Sequence, residues 1–288
     1  MKKIKNIVTI ILLLVAISLG SGKAFVDYKL NEAIHQMAAS TEVKFNYADL
    51  FLNLQGNVVI EQANLQLPEL EKIDIEKLTL HKAYQFYLSQ GLPERAHITA
   101  DNIQIALPDD APPIPSLLSA LGYAPYYLTF HELIHMGFGS IEANLELTTQ
   151  AVNNKLQIHV QLDSGLWGHW IADLTLDKVQ NLTDWESSLL ETLTVSYMDR
   201  GLVENVFSFL AQRNQAFLPE FKQTLLVKLK TDINRANIQL DPTVLASLQQ
   251  LVQRPGKLTL KLVPNSSVRL NQILYSTPQQ LGLTMSTN

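Results

Sequence analysis

Residues His131-Glu132-Leu133-Ile134-His135 match the pattern H-E-x-x-H. On an α-helix, histidines four apart lie on one face, one turn apart, and can share a zinc ion. The adjoining glutamate can then hold the water that attacks a substrate. That chemistry would make the chain a zinc-dependent hydrolase, with His131 and His135 as metal ligands and Glu132 as general base. The backbone decides whether it is available. On a strand, residues four apart are separated by about 13 Å. Two such imidazoles cannot grip one ion, and Glu132 points to the opposite face.

The surrounding pattern favours the strand. Leu128, Phe130, Ile134, Met136 and Phe138 alternate on one face, with Glu132 as the exception. Gly137 and Gly139 would each cost about 1 kcal/mol inside a helix. A helix stays open as the alternative, with Phe130, Leu133, Ile134 and Phe138 as its stripe and Gly139 closing it. The extended form with a third histidine fails, because Phe138 and Ile141 stand where Gly and His would be needed. Glu186 and Glu191 are the downstream carboxylates that could complete a set. Residues 126–138 are therefore expected to be extended, with two partly exposed histidines and no metal.

Other chemistry-bearing residues are sparse. No G-x-S-x-G elbow, phosphate-binding loop or dinucleotide fingerprint occurs. Asp109-Asp110 sit in the proline-rich loop PDDAPPIP and are read as solvated. His159 and His169 lie near Trp167 and Trp170, and a surface aromatic–histidine cluster is the plain reading. Asp199 is a plausible helix N-cap beside Arg200. Asn181 and Asn265 open glycosylation sequons, which matter only in a eukaryotic source. No catalytic residue, metal or cofactor is expected outside the zinc alternative.

The elements that must position these residues are mostly strands. From Val43 the hydrophobic period is two, through VVIEQANLQLP, IDIEKLTL and HITADNIQIALP. Short helices are expected over 83–91 and 116–121. Strands resume to about Leu176, with a hairpin turn at Asn153-Asn154. Another strand is expected at 189–198, although DWESSLLETL could also be helical. Three helices follow, from Asp199 through Arg213, from near Pro219, and from Pro242 to Gln253, and then the strand KLTLKLVP. The fold class is α+β, a long mostly antiparallel sheet with helices inserted in the C-terminal third. A short Asn-Leu/Ile-Gln echo recurs at Asn64, Asn102 and Asn237, too brief to establish a repeat.

Composition supports one large domain. The chain has 288 residues, 47% hydrophobic and 17% charged, which excludes global disorder. A net charge of −5 gives no overall basic character to attract nucleic acid. The absence of cysteine excludes disulfides, thiolate metal sites and a lipoprotein anchor. MKKIKN followed by the uncharged run Ile7 to Gly22 reads as a membrane anchor with a cytoplasmic N-terminus. As a helix, that run spans roughly 24 Å, and Lys23 can snorkel. A cleaved signal peptide, with Ser18 and Gly20 before the cut, is the alternative. The organisation expected is a transmembrane helix over 1–23, a helical stalk over 24–41 and an exported α+β domain over 42–288, with a sub-boundary near 108–115.

The anchor and stalk, followed by FNYADLFLNLQGNVVIEQANLQLP with Gly56, Asn64 and Pro68, resemble the start of AsmA-like envelope proteins. Ser196-Tyr197-Met198-Asp199-Arg200-Gly201-Leu202 and Arg254-Pro255-Gly256-Lys257-Leu258 are similar to uncharacterised periplasmic proteins of related organisation. The resemblance spans residues 1–110 and 190–265. It implies a single-pass protein of the bacterial inner membrane with its bulk in the periplasm, a β-rich fold and a part in lipid movement or outer-membrane upkeep. It transfers no catalytic residues. Typical members are much longer, and a chain of this length could not bridge two membranes alone. The expected role is non-enzymatic binding of lipid, another hydrophobic ligand or an envelope partner protein. A structural subunit of an envelope complex is a further alternative.

Overall fold

The computed structural model describes residues 44–66, 72–83, 94–106, 114–115, 127–179, 187–235 and 240–287. The expected anchor and stalk, all but Ala83 of the short helix expected over 83–91, the helix expected over 116–121, most of the proline-rich loop, Asn181 and Glu186 lie outside these residues. Among the described residues no helix is long and apolar enough to cross a membrane.

Twelve strands form one antiparallel sheet. β1 (Lys44–Asn46) and β2 (Asp49–Leu52) both pair with β3 (Val58–Gln66). The sheet continues through β4 (Ile73–His81) and β5 (Arg95–Ala106). A two-residue pair, β6 (Ile114–Pro115) with β7 (Tyr127–Leu128), stands apart from it. Next come β8 (Ser140–Val152), β9 (Lys155–Asp163), β10 (His169–Asp177) and β11 (Leu189–Met198). β12 (Lys257–Leu262) and β13 (Val268–Arg269) pair with successive parts of β11, and β14 (Thr284–Thr287) closes the edge beside β12. The hairpin at Asn153-Asn154 forms as its residue types require, with φ of 52° and 61°.

The expected α+β arrangement is present in the described residues, and the late helices fall where capping and periodicity place them. They are α2 (Leu202–Arg213), α3 (Leu218–Arg235) and α4 (Pro242–Gln253). The first helix of the chain's middle, α1, is a correction. Residues 126–138 were expected to be extended. Strand pairing instead stops at Leu128, and α1 occupies Phe130–His135. The reason is local. Thr129 Oγ1 accepts from the Glu132 backbone N–H at 3.1 Å, and Glu132 Oε2 accepts from the Thr129 N–H at 2.8 Å. This capping box satisfies two N-terminal amides and overrides the alternation. Gly137, at φ +90°, then ends the turn. The helical option for DWESSLLETL is also settled from residue 189 onward, where the chain is β11.

Strand alternation slips once without losing its faces. Ile60 and Ala63 face the same way, as do Leu78 and Ile75, and Ala100 and Ile103, each pair three residues apart. Gln62 and Asn102 take left-handed φ values of 49° and 51° and absorb the extra residue. The Asn102 N–H donates to Asn144 Oδ1 at 2.8 Å, and its amide donates to Glu76 Oε2 at 2.8 Å.

Three buried clusters hold the fold. One joins α2, α3 and α4 to Leu128, Leu133 and Phe138. One lies under β2 to β5 around Val58, Ile60, Ile75 and Ala100. The third gathers Leu156, Leu176, Leu190, Leu262 and Val268.

Candidate functional site

Helix α1 brings His131 and His135 one turn apart. Their rings stack with centroids 4.4 Å apart and planes at 25°, and both residues are exposed. Glu132 is placed differently from a free base. Its Oε2 accepts from the Thr129 N–H and hydroxyl, and its Oε1 accepts from Arg213 Nη1 at 3.0 Å. Partial burial would raise its pKa. The Thr129 amide, the Arg213 guanidinium and the Thr129 hydroxyl outweigh that and hold the carboxyl below its ordinary range. Both oxygens thus serve the helix cap and the tie to α2. Among the described residues, no group of three or more His, Asp or Glu is placed to hold one metal ion. Glu191, the described candidate for a third ligand, lies on β11 and accepts from Lys155 Nζ at 2.7 and 2.8 Å.

The other sequence candidates separate into structural pairs. His159 Nδ1 lies 2.7 Å from Asp173 Oδ1. His169 lies 3.8 Å from Asp163, which also accepts both guanidinium nitrogens of Arg200 at 2.6 and 2.9 Å. Trp167 packs edge-on against Phe138, and Trp170 tilts over Tyr197 at 4.3 Å, so the two tryptophans do not form one cluster with the histidines. Asp199 was expected as the N-cap of the helix, but that position is Gly201, at φ 107°; from two residues upstream the Asp199 carboxylate accepts from the Gly201 and Val203 amides at 3.1 and 3.0 Å. It also accepts from the Tyr197 hydroxyl at 2.7 Å. Burial first, and then the Asp199 carboxylate, push the Tyr197 phenol above its ordinary value.

A cross-strand pair escaped the sequence reading. His81 and His97 stand opposite each other on β4 and β5, with rings stacked at 4.2 Å. His97 Nε2 lies 2.9 Å from Glu146 Oε1 without the alignment of a hydrogen bond. Burial, followed by the His97 charge, lowers the His81 pKa despite Glu146 and Asp101. No local spacing marks such a pair, because strand register creates it.

The sheet face opposite these histidines carries ordered apolar rows. Directly opposed residues share a face. One transverse row runs Leu52, Val58, Leu80, Ile98 and continues Leu147, Val160, Ala172, Val195, Leu260, Met285, apolar on ten successive strands. At about 4.8 Å per strand such a row extends roughly 40 Å. A second row passes through Leu78, Ala100, Leu145, Leu162, Trp170 and Tyr197. Their counterparts one residue along are polar: His81, His97, Thr148, His159, Asp173 and Thr194. Leu147, Val160, Ala172 and Val195 are half-buried, and among the described residues they belong to none of the three clusters. Among the described residues the helices pack at the β14 end, where Met285 joins their cluster, and the middle of the first row joins no buried cluster.

A family model described as "Uncharacterized protein" matches residues 134–288, more than half of the chain. No curated protein matches it.

Proposed function

The chain belongs to this uncharacterized family, and we propose from its own geometry that it is a non-enzymatic binding protein that holds an extended apolar ligand, a lipid acyl chain, on the apolar face of its sheet. The observation that carries this is the unbroken apolar row across ten strands, half-buried at its centre. A flexible hydrocarbon chain matches such a surface because it needs area and no directed hydrogen bonds. In this reading residues 1–23 tether the chain to the bacterial inner membrane, and the sheet lies in the periplasm. The lysine cluster before an uncharged apolar run supports that orientation, and the resemblance to AsmA-like proteins is consistent with lipid as the ligand. An envelope partner protein lying on the same face is the competing occupant.

The alternative is a zinc hydrolase on His131, Glu132 and His135. The helical placement of the two histidines favours it. The engagement of both Glu132 oxygens speaks against its base.

Photo-crosslinking of the full chain in bacterial cells tests the main reading. Benzoylphenylalanine placed at Leu147 or Val160 is expected to capture lipid, identified by mass spectrometry, while the same probe at Thr148 or Gln161 captures none. Equal labelling of both faces, or no lipid at any position, defeats the reading. Capture of one protein in place of lipid transfers the face to a partner.

A further inference from the structure

We propose that His131 and His135 form a two-histidine site for one divalent transition-metal ion, in which Glu132 is part of the scaffold and neither ligand nor base. The site is separate from the apolar face and does not depend on what occupies it.

Two imidazole nitrogens bound side by side to one ion, each at 2.0–2.1 Å, lie about 3 Å apart. Rings one helical turn apart with centroids at 4.4 Å are near enough for side-chain rotation to bring one nitrogen of each to that spacing, and both residues are exposed. Among the described residues neither ring has a hydrogen-bond partner to give up. The backbone beneath them is held in place. Thr129 and Glu132 close the capping box, Arg213 ties Glu132 to α2, and Leu133 is buried at 3% exposure among the helices. A short helix alone would fray, but this one is fixed from both sides, so binding orders only two side chains. Neutral imidazole suits zinc, copper and nickel over magnesium or calcium.

The absence of a third protein ligand among the described residues defines the kind of site. Among the described residues two positions are filled by the chain, and the rest are open to water or to another donor. Such a site binds more weakly than a closed structural zinc centre. It can accept a carboxylate or imidazole from another molecule.

Isothermal titration of the full chain in detergent with zinc chloride at pH 7.5 tests this. The full chain is expected to bind an equivalent of zinc that either His131→Gln or His135→Gln weakens by about tenfold or more, equal to 1.4 kcal/mol. His97→Gln should leave that equivalent in place. Glu132→Gln should also retain it, because glutamine can still close a capping box. Histidine-selective NMR of the unmodified chain gives a second readout, in which zinc should shift the His131 and His135 rings. Unshifted rings, titrations unaffected by both histidine substitutions, or loss of the same equivalent in a folded Glu132→Gln chain would overturn the assignment. None of these results bears on lipid capture at Leu147, so the two proposals fail independently.

Discussion

Glu132 shows how a residue with chemical potential can be spent on structure. Its carboxylate accepts from the Thr129 amide and hydroxyl and from Arg213. Replacing Thr129 with alanine removes the hydroxyl half of the box and is expected to cost about 1 kcal/mol, read from urea denaturation. The pH dependence has a definite sign. The folded-state pKa of Glu132 is depressed, so its stabilisation is present above the ordinary carboxylate value and is lost as pH falls through the lower folded value. The stability gap between the natural chain and Glu132→Gln should therefore be widest near neutrality and close in acid. A gap that does not change with pH would mean that the carboxylate charge is not what Thr129 and Arg213 hold.

At the scale of elements, the turn between β9 and β10 shows how closely the strands are fitted. The chain passes through a 3-10 turn at Gly165–Trp167, turns at Gly168 with φ +98°, and re-enters the sheet at His169. A Cβ on Gly168 would stand 2.4 Å from the Tyr197 ring and 2.7 Å from the Met198 carbonyl oxygen. Tyr197 cannot easily yield, since it is buried, packed by Trp170 and bonded to Asp199, whose carboxylate also holds the Val203 amide of α2. Gly168→Ala is expected to lower unfolding stability by roughly 2–4 kcal/mol, combining overpacking with a conformation disfavoured for alanine. Gly139→Ala, where nothing lies within 4 Å, is the control and should change little in the same thermal or urea measurement.

The whole molecule is a sheet with two unlike faces. Beyond the two rows, the left-handed residues Gln62 and Asn102 keep Ala63 and Ile103 in the same buried cluster as Ile60 and Ala100. Without them the far ends of β3 and β5 would turn polar side chains toward that cluster. The rows are long and uniform, so a single charge should interrupt them. Val160→Glu is expected to cost about 1–3 kcal/mol through its half-buried neighbours Leu147 and Ala172, and to abolish lipid capture from a probe at Leu147. Gln161→Glu, on the opposite face, should leave both denaturation and capture unchanged. Capture that survives Val160→Glu would mean that the ligand does not follow the row.

Period-two alternation, turn residues and capping signals were enough to read the sheet, the Asn153-Asn154 hairpin and the three late helices from the amino-acid order, because those signals act between near neighbours. The strand expected through His131 failed for a local reason of its own. Six residues of mixed periodicity were outweighed by the Thr129–Glu132 box, whose pattern was present in the chain but competed with a convincing alternation. Tertiary structure decided the rest. Arg213 reaches Glu132 from 81 residues away, His81 meets His97 only through register, and the apolar row exists only once ten strands are aligned. A residue's type and its neighbours fix which way its side chain faces. Which distant groups share that face depends on hydrogen-bond register and packing, and no local spacing encodes them.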